Sequence, residues 1–492
     1  MNAPQTSSRP RHRDYTFLGI TQSLCPDCLS VVPTKIITRN KRVYFRKQCP
    51  EHGTREDFVC SDVDRYDLIS TSLPAKLPAK TFVEPQRGCP LDCGLCTEHE
   101  QHTCIGVVEI TDGCNLTCPM CYANSAPGQA HRSQEEVQQA IDTLVEAEGH
   151  AEVMQLSGGE PTLHPQLIEL LDYALTKPID FVMINTNGVR LAHDTELVDQ
   201  LAERSDRTEI YFQLDCLDDG QMAKLRGKAG LLETKLQALD NLSRAGLNVT
   251  LVSTLQGGIN DSAPADIVDF ALGRSEITGL SFQPATYSGR YVLPSELEKR
   301  ITFPDVIDSI ANDIRNPYTV DDFFPLPCAH PNCHWLSLAV KSGETVVPLT
   351  QFVESKDNLD LLANGISFTR EKTQHLVRQL AARMACGEGC GCGPAQSESN
   401  SLPTVDLANQ PAGANEDIVS RFLERVMQQQ AGARDMLRIT ITSFLDAYNF
   451  DVRRVMKCCT HHVLPSGHII PFCAYNVLYR EGHVPLPELT SK

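Results

Sequence analysis

No stretch of 18 apolar residues occurs in the 492-residue chain, so no helix of it reads as a bilayer span. The first residues, MNAPQTSSRPRHRDYTF, carry basic groups but no apolar core, so no secretory signal is expected there. Basic residues are in short supply: Lys and Arg total 44 against 62 Asp and Glu, a net charge of −18. That balance disfavours non-specific binding to nucleic acid or anionic membrane, although it leaves room for a local basic patch. Cysteine, at 20 of 492 residues, is too sparse for a disulfide scaffold. Without an export signal the expected setting is cytoplasmic and reducing, so clustered thiols read as metal or redox sites. With 41% hydrophobic and 22% charged residues, the chain is not disordered as a whole, and its length suggests about three folding units.

Residues 1–20 read as a disordered tail and 21–75 as a small metal-binding domain with strand-like runs. Prolines at 74, 78 and 85 mark a linker, and 85–104 form a cysteine-rich segment. From residue 105 a βα rhythm sets in. Strands are expected at 105–111, 151–159, 180–188, 208–216, 247–255 and 277–285, with amphipathic helices between them. Such alternation predicts a parallel α/β sheet with right-handed crossovers, here six units over 105–300, curling into a partial barrel. Its functional loops belong at the C-terminal ends of the strands. Residues 301–492 form a C-terminal region with a flexible insert at 393–416.

The sharpest motif, Cys114-Asn-Leu-Thr-Cys118-Pro-Met-Cys121, directly follows the first of these strands. Three thiolates so spaced can hold three corners of a cubane cluster and leave the fourth iron open to chelate a small molecule; the alternative is a zinc knuckle. The later strand ends carry Ser157-Gly158-Gly159-Glu160-Pro161, then Asn185-Thr186-Asn187-Gly188, then Gln213-Leu214-Asp215 with Arg226 in the following loop. Gly158 and Gly159 allow close backbone approach, and Glu160 can accept from an ammonium group. Four strand ends thus direct polar groups at one face.

Three further cysteine sets stand apart. Cys89, Cys93 and Cys96 repeat the same spacing, but Cys104 follows; four local thiols read as a closed auxiliary [4Fe–4S] cluster rather than an open one. Cys25, Cys28 and Cys49 read as a mononuclear zinc or iron site, with His52 or Cys60 as fourth ligand; Cys60 is preferred because an all-sulfur tetrahedron suits either metal. Cys328, Cys333, Cys458, Cys459 and Cys473 offer four ligands for a second auxiliary cluster, with only one of the adjacent pair expected to ligate. Cys386, Cys390 and Cys392 sit in a glycine-rich loop of open role, and Cys216 reads as a buried thiol.

CNLTCPMC, SGGEP and the six βα units together resemble the radical S-adenosylmethionine (SAM) superfamily over about residues 105–285. The resemblance implies that Cys114, Cys118 and Cys121 hold a [4Fe–4S] cluster, and that SAM lies against Gly158, Gly159, Glu160, Asn185, Asn187, Gln213, Asp215 and Arg226. Reductive cleavage of SAM would then yield a 5′-deoxyadenosyl radical. One departure from the family pattern is Met120, where an aromatic residue often precedes the third cysteine; here Tyr122 follows it. Over residues 20–476, GCPLDCGLCTEHEQHTC, FFPLPCAHPNC and DAYNFDVRRVMKCCTHH are similar to archaeal tetraether-lipid synthases and their relatives, a group also called 7,8-dihydro-6-hydroxymethylpterin dimethyltransferases. That resemblance implies three [4Fe–4S] clusters, an N-terminal rubredoxin- or zinc-ribbon-like domain and a reduced ferredoxin or flavodoxin as partner. The leading expectation is hydrogen abstraction from an unactivated C–H bond, with sp3 carbon coupling between lipid chains. Methylation of a pterin or other small molecule and radical modification of a peptide are the alternatives; an electron carrier would close all its clusters. A lipid substrate would bring the protein to a membrane surface.

Overall fold

The computed structural model describes residues 13–68, 72–352 and 414–490, with isolated positions between 353 and 413. The loop holding Cys386, Cys390 and Cys392 and nearly all of 393–416 lie outside the described residues.

The chain opens with a four-stranded antiparallel meander: β1 (Thr16–Leu24), β2 (Val31–Arg39), β3 (Arg42–Cys49) and β4 (Gly53–Cys60). Residues 16–20, expected in a disordered tail, form the first half of β1 and pair with β2. The expectation failed because that short run was grouped with the basic residues before it.

Six parallel strands follow, β5 (Ile105–Thr111), β6 (Ala151–Gly158), β7 (Ile179–Thr186), β8 (Thr208–Gln213), β9 (Val249–Leu255) and β10 (Ile277–Pro284), hydrogen-bonded in chain order. Helices α1 (Gln134–Glu148), α2 (Leu167–Leu175), α3 (Thr195–Ala202), α4 (Asp219–Arg226), α5 (Leu231–Arg244) and α6 (Ala263–Leu272) form the crossovers. Their starts are written locally. Ser133 accepts from the Glu136 amide at 3.2 Å while the Glu136 carboxylate accepts from the Ser133 amide at 2.8 Å, a capping box. Asp218 caps α4, and Gly227 ends it in the left-handed region at φ 72°.

The sheet does not stop at six strands. After α7 (Phe303–Ala311), β11 (Phe324–Pro325), β12 (His334–Ser342), β13 (Thr345–Pro348) and α8 (Ala414–Met427), the strand β14 (Met436–Thr442) pairs parallel with β10, and β12 lies antiparallel to β14. Beyond α9 (Val452–Met456), β15 (Thr460–Val463) pairs parallel with β5, and β16 (Ile469–Pro471) closes that edge. The C-terminal region therefore covers both edges of the partial barrel, giving one 12-stranded sheet. Covering edges also removes unpaired backbone groups that would otherwise be exposed. The meander is fastened to this region by Lys47, whose buried ammonium donates to the Ala447 and Tyr448 carbonyls at 2.7 Å and pairs with Asp57 at 3.0 Å. No described helix is long and apolar enough to cross a membrane.

Candidate active site and cysteine centres

The C-terminal ends of β5–β10 surround a cavity of about 180 Å³. Cys114, Cys118 and Cys121 line it, together with Gly158, Gly159, Asn185, Asn187, Gln213 and Arg226. The cysteine loop is clamped from the far strand. The Cys121 amide donates to the Arg290 carbonyl at 2.8 Å, and the Arg290 guanidinium reaches the Cys118 carbonyl at 3.1 Å and the Ser125 carbonyl at 2.5 Å. Arg290 was not anticipated from sequence; a lone arginine after the sixth strand carries no motif. Tyr122 packs edge-on against Phe472, 5.2 Å between centroids, so the aromatic missing before Cys121 is supplied one residue after it. Burial pushes the Cys114 thiol up to about 12. The three side chains are the right donor type for an iron–sulfur cluster, and cluster binding would displace protons that burial otherwise holds on.

The glycines serve the chain before they serve a ligand. Gly158 has φ 123°, and a Cβ there would lie 2.1 Å from the Thr111 carbonyl oxygen; one on Gly159 would lie 2.3 Å from that of Gly113. The β6 loop is thereby seated directly on the backbone leading into Cys114.

Glu160 and Asp215 were expected to face the ligand; both lie fully buried behind the wall instead. The Glu160 carboxylate accepts from the Thr162 amide (3.1 Å), the Thr162 and Thr186 hydroxyls (2.6 and 2.7 Å) and the Asn187 amide (2.7 Å). The bond from the Thr162 amide caps the turn 161–163, and those from Thr186 and Asn187 tie the carboxylate to the loop after β7. Asp215 grips Arg226 through two bonds of 2.6 and 2.5 Å, and that guanidinium in turn reaches the Cys118 thiol. Both acids thus position wall residues. Lys235, missed in the sequence, stands behind them: its buried ammonium donates to the Asn187 and Gln213 carbonyls at 2.8 and 2.6 Å. Burial outweighs the pull of Asp215 and lowers it to about 8. A signal existed, since a lysine interrupts the leucine stripe of α5 at 231, 239 and 242.

At the N-terminal meander, Cys25, Cys28, Cys49 and His52 bring one ligand atom each within 4.8 Å of one another. Cys60 is not among them, contrary to expectation. It ends β4, near Thr302 and Asp62, and burial pushes its thiol up to about 12. His52 lies in the turn three residues after Cys49, where its Nδ1 stands 3.5 Å from Cys49 Sγ and 3.6 Å from Cys25 Sγ. Burial raises the Cys49 thiol, but hydrogen bonds from the amide and ring of His52 outweigh it, bringing Cys49 to about 6. Three thiols and an imidazole form a closed tetrahedral donor set for zinc.

Nine of the other ten described cysteines fall into three trios. Cys93 is influenced by Cys89 and Cys96, as expected. Cys104 does not complete that set. It hydrogen-bonds with Cys328 and Cys459 beneath β5, and its amide donates to the Cys459 carbonyl at 2.9 Å. The β15–β5 pairing draws it there, a long-range contact that local spacing cannot show. The third trio is Cys333, Cys458 and Cys473, with the Arg454 Nε donating to Cys333 Sγ at 3.2 Å. Cys458 faces Cys333 and Cys473, whereas Cys459 bonds with Cys104 and also feels the Cys328, Cys458 and Cys333 thiols. Cys216 is buried, as read.

These observations converge with comparisons to known proteins. A model of the radical SAM superfamily matches residues 108–271, and a model of the HMPTM N-terminal zinc ribbon domain matches residues 17–61. The chain belongs to the radical SAM superfamily, whose members bind SAM and a [4Fe–4S] cluster, and it is an enzyme of that kind with an N-terminal zinc ribbon. It is 30% identical over 492 residues, 94% of either chain, to the 7,8-dihydro-6-hydroxymethylpterin dimethyltransferase of Methanocaldococcus jannaschii. It is also 33% identical over 186 residues to the Fe-coproporphyrin III synthase of Methanosarcina barkeri, covering 37% of this chain and 44% of that one. Against the crystal structure of Streptococcus suis SuiB the TM-score is 0.33 at 18% identity, covering 40% of this chain and 43% of that one.

Proposed function

We propose that the protein abstracts hydrogen from unactivated C–H bonds of an elongated, largely apolar substrate and joins sp3 carbons, as between lipid chains. The observation that carries this reading is the barrel lumen. The upper cavity takes Gln155, Asn185 and Tyr211 from β6, β7 and β8. A second, wider cavity of about 800 Å³ at the other end takes Val153, Met183 and Glu209, two residues earlier on the same strands. Alternate residues of a strand share a face, so both cavities lie on the same side of these strands. Val153, Phe181, Met183, Leu338 and Phe422 give its far end apolar patches, set among the charged Lys177, Asp180, Arg207, Glu209 and Arg438.

A [4Fe–4S] cluster held by Cys114, Cys118 and Cys121 would supply the electron that cleaves SAM to methionine and the 5′-deoxyadenosyl radical. Gly158, Gly159 and Asn187 would fix SAM at the wall, with Glu160, Asp215 and Lys235 holding that wall in place. Joining two carbons takes two abstractions, two SAM molecules and two electrons, delivered by a reduced ferredoxin or flavodoxin. The trios at Cys89, Cys104 and Cys333 would supply the ligands of two auxiliary clusters, and Cys25, Cys28, Cys49 and His52 would hold one zinc or iron. The setting is cytoplasmic, at a membrane surface when a lipid is bound.

A second reading is methylation of a pterin. The name of the Methanocaldococcus relative and the hydrogen-bonding groups of Gln155, Tyr211 and Gln283 in the upper cavity support it. Reconstituted protein with SAM and dithionite, offered lipid extract or 7,8-dihydro-6-hydroxymethylpterin, separates the two. The lipid reading expects 5′-deoxyadenosine to rise with lipid and a coupled product two hydrogens lighter than its parts. A rise with the pterin alone overturns it.

A further inference from the structure

The loop after β10 displays three consecutive apolar side chains to solvent: Tyr291, Val292 and Leu293, exposed by 41, 54 and 42%. Their backbone is anchored. The Arg290 amide donates to the Cys121 carbonyl at 3.0 Å and the Val292 amide to Met120 Sδ at 3.2 Å, while the Val292 carbonyl accepts from Gln256 Nε2 at 3.3 Å. Beneath them, Tyr287 and Leu297 pack with Met120 of the cysteine loop and Leu225 of α4. The three side chains are thus held out in water on a fixed backbone, directly beside Cys121. A contiguous exposed apolar run rimmed by polar residues marks an interaction surface.

The rim is cationic. On the other flank of the cysteine loop stands the end of α4: a Cβ on Gly227 would lie 3.0 Å from the Thr117 carbonyl oxygen and 3.3 Å from Pro119 Cδ. That flank brings the exposed Lys224 and Lys228, and the loop after β10 brings the exposed Lys299 and the half-buried Arg290. Arg290 bonds only to the Cys118 and Ser125 carbonyls and the Asn124 side chain, and Lys299 to the Ser295 hydroxyl. None of the four cations has a carboxylate partner among the described residues. The carboxylates of Asp218, Asp219 and Asp261 each accept from backbone amides, those of Gln221, of Gly230 and Leu232, and of Gly258. Glu296 and Glu298 are the other exposed acids of these loops. Four unpaired cations around an apolar centre stand out in a chain of net charge −18. Such a face suits a small, transient complex with an acidic partner, steered by charge.

We propose that this face is where an acidic one-electron carrier docks to reduce the cluster of Cys114, Cys118 and Cys121. What commits it to a carrier is its attachment: the hydrogen bonds that hold Tyr291, Val292 and Leu293 in place run to Met120 and Cys121, so a partner seated there touches the loop that carries the cluster ligands. The proposal rests on the radical SAM chemistry of the chain and not on the identity of its substrate. Each SAM cleaved takes one electron, and a flavodoxin supplies it as its anionic flavin hydroquinone becomes the neutral semiquinone. That electron breaks the sulfur–carbon bond of SAM into methionine and the 5′-deoxyadenosyl radical.

The test compares two reductants on the full-length, metal-loaded protein with SAM under anaerobic conditions: dithionite, a small anion that needs no docking face, and a flavodoxin kept reduced by NADPH through its reductase. 5′-Deoxyadenosine is measured for the wild type, Leu293→Ser and the double variant Lys224→Glu/Lys228→Glu, with iron content and melting temperature on each preparation. Val292→Ser serves if Leu293→Ser fails to fold. The expected result is that the variants match the wild type with dithionite and fall severalfold at limiting flavodoxin. Added salt should slow the flavodoxin reaction of the wild type and narrow its lead over the double variant, because screening removes the steering. Equal flavodoxin rates in all variants, an equal loss with both reductants, or no flavodoxin-driven turnover by the wild type overturns the proposal. So does flotation with vesicles of phosphatidylcholine and phosphatidylglycerol that Leu293→Ser loses while its flavodoxin rate is unchanged, since the face then belongs to a membrane. If dithionite yields no 5′-deoxyadenosine from the wild type, the enzyme reading itself falls and the docking face with it.

Discussion

Single residues carry much of the discrimination between the cysteine sites. Thiol chemistry alone favoured Cys60 over His52 for the meander, yet backbone position decides the matter: His52 sits in the turn beside Cys49, and Cys60 ends the next strand in a buried setting. His52→Ala should therefore lose the mononuclear metal, and Cys60→Ala should keep it. Elemental analysis of the purified variants checks this, and metal loss from Cys60→Ala alone would reverse the assignment. Glu160 is similarly redefined by its four donors. Glu160→Gln turns an NH2 group toward at least one of them, and a buried donor left unmatched costs about 1–3 kcal/mol. With Asn187 released from its clamp, SAM affinity should fall by about tenfold while iron content stays constant. Unchanged affinity would show that the wall does not depend on this carboxylate.

Among the elements, the six βα units were legible because parallel strands buried on both sides read as apolar runs, and their helices keep a 3.6-residue period. The short helix α4, which carries Arg226, was not legible: it spans only Asp219–Arg226 and has no apolar stripe of length. The edge strands β14 and β15 were missed for another reason. Their partners β10 and β5 lie more than 150 residues away, and no local pattern reports such pairing. One edge element offers a pH test. Lys341 on β12 is buried, and its ammonium donates to the Ala271, Arg274 and Ile277 carbonyls at 2.9, 2.7 and 3.3 Å. Burial lowers it to about 8, against the opposing pull of Glu276. Between about pH 8 and 10.5 the unfolded chain then binds the extra proton, so stability rises with pH through that window. The full shift corresponds to at most about 3 kcal/mol. Denaturant midpoints of the wild type should climb relative to Lys341→Met from pH 8 to 10, and parallel profiles would contradict the shift.

At the scale of the whole molecule, the C-terminal region brings together cysteines far apart in sequence, Cys104 with Cys328 and Cys459 and Cys333 with Cys458 and Cys473. The local motif CxxxCxxC picks out the loop of Cys114, Cys118 and Cys121 because all three cysteines sit within eight residues. It misassigned Cys104, whose companions Cys328 and Cys459 arrive only through the fold. Cys104→Ala, Cys328→Ala and Cys459→Ala should therefore share one iron deficit, and Cys89→Ala should show a separate, additive one. Iron counts of single and double variants check this; additivity between Cys104→Ala and Cys328→Ala would separate that trio.

If the loop after β5 serves SAM cleavage, its three cysteines are each indispensable to it. The most direct measurement is 5′-deoxyadenosine formed by the anaerobically reconstituted protein with SAM and dithionite, compared with Cys114→Ala, Cys118→Ala and Cys121→Ala. The account predicts 5′-deoxyadenosine and methionine from the wild type, none from any of the three variants, and a loss of about four irons per chain in each. Wild-type yields of 5′-deoxyadenosine from any one of the variants would contradict it.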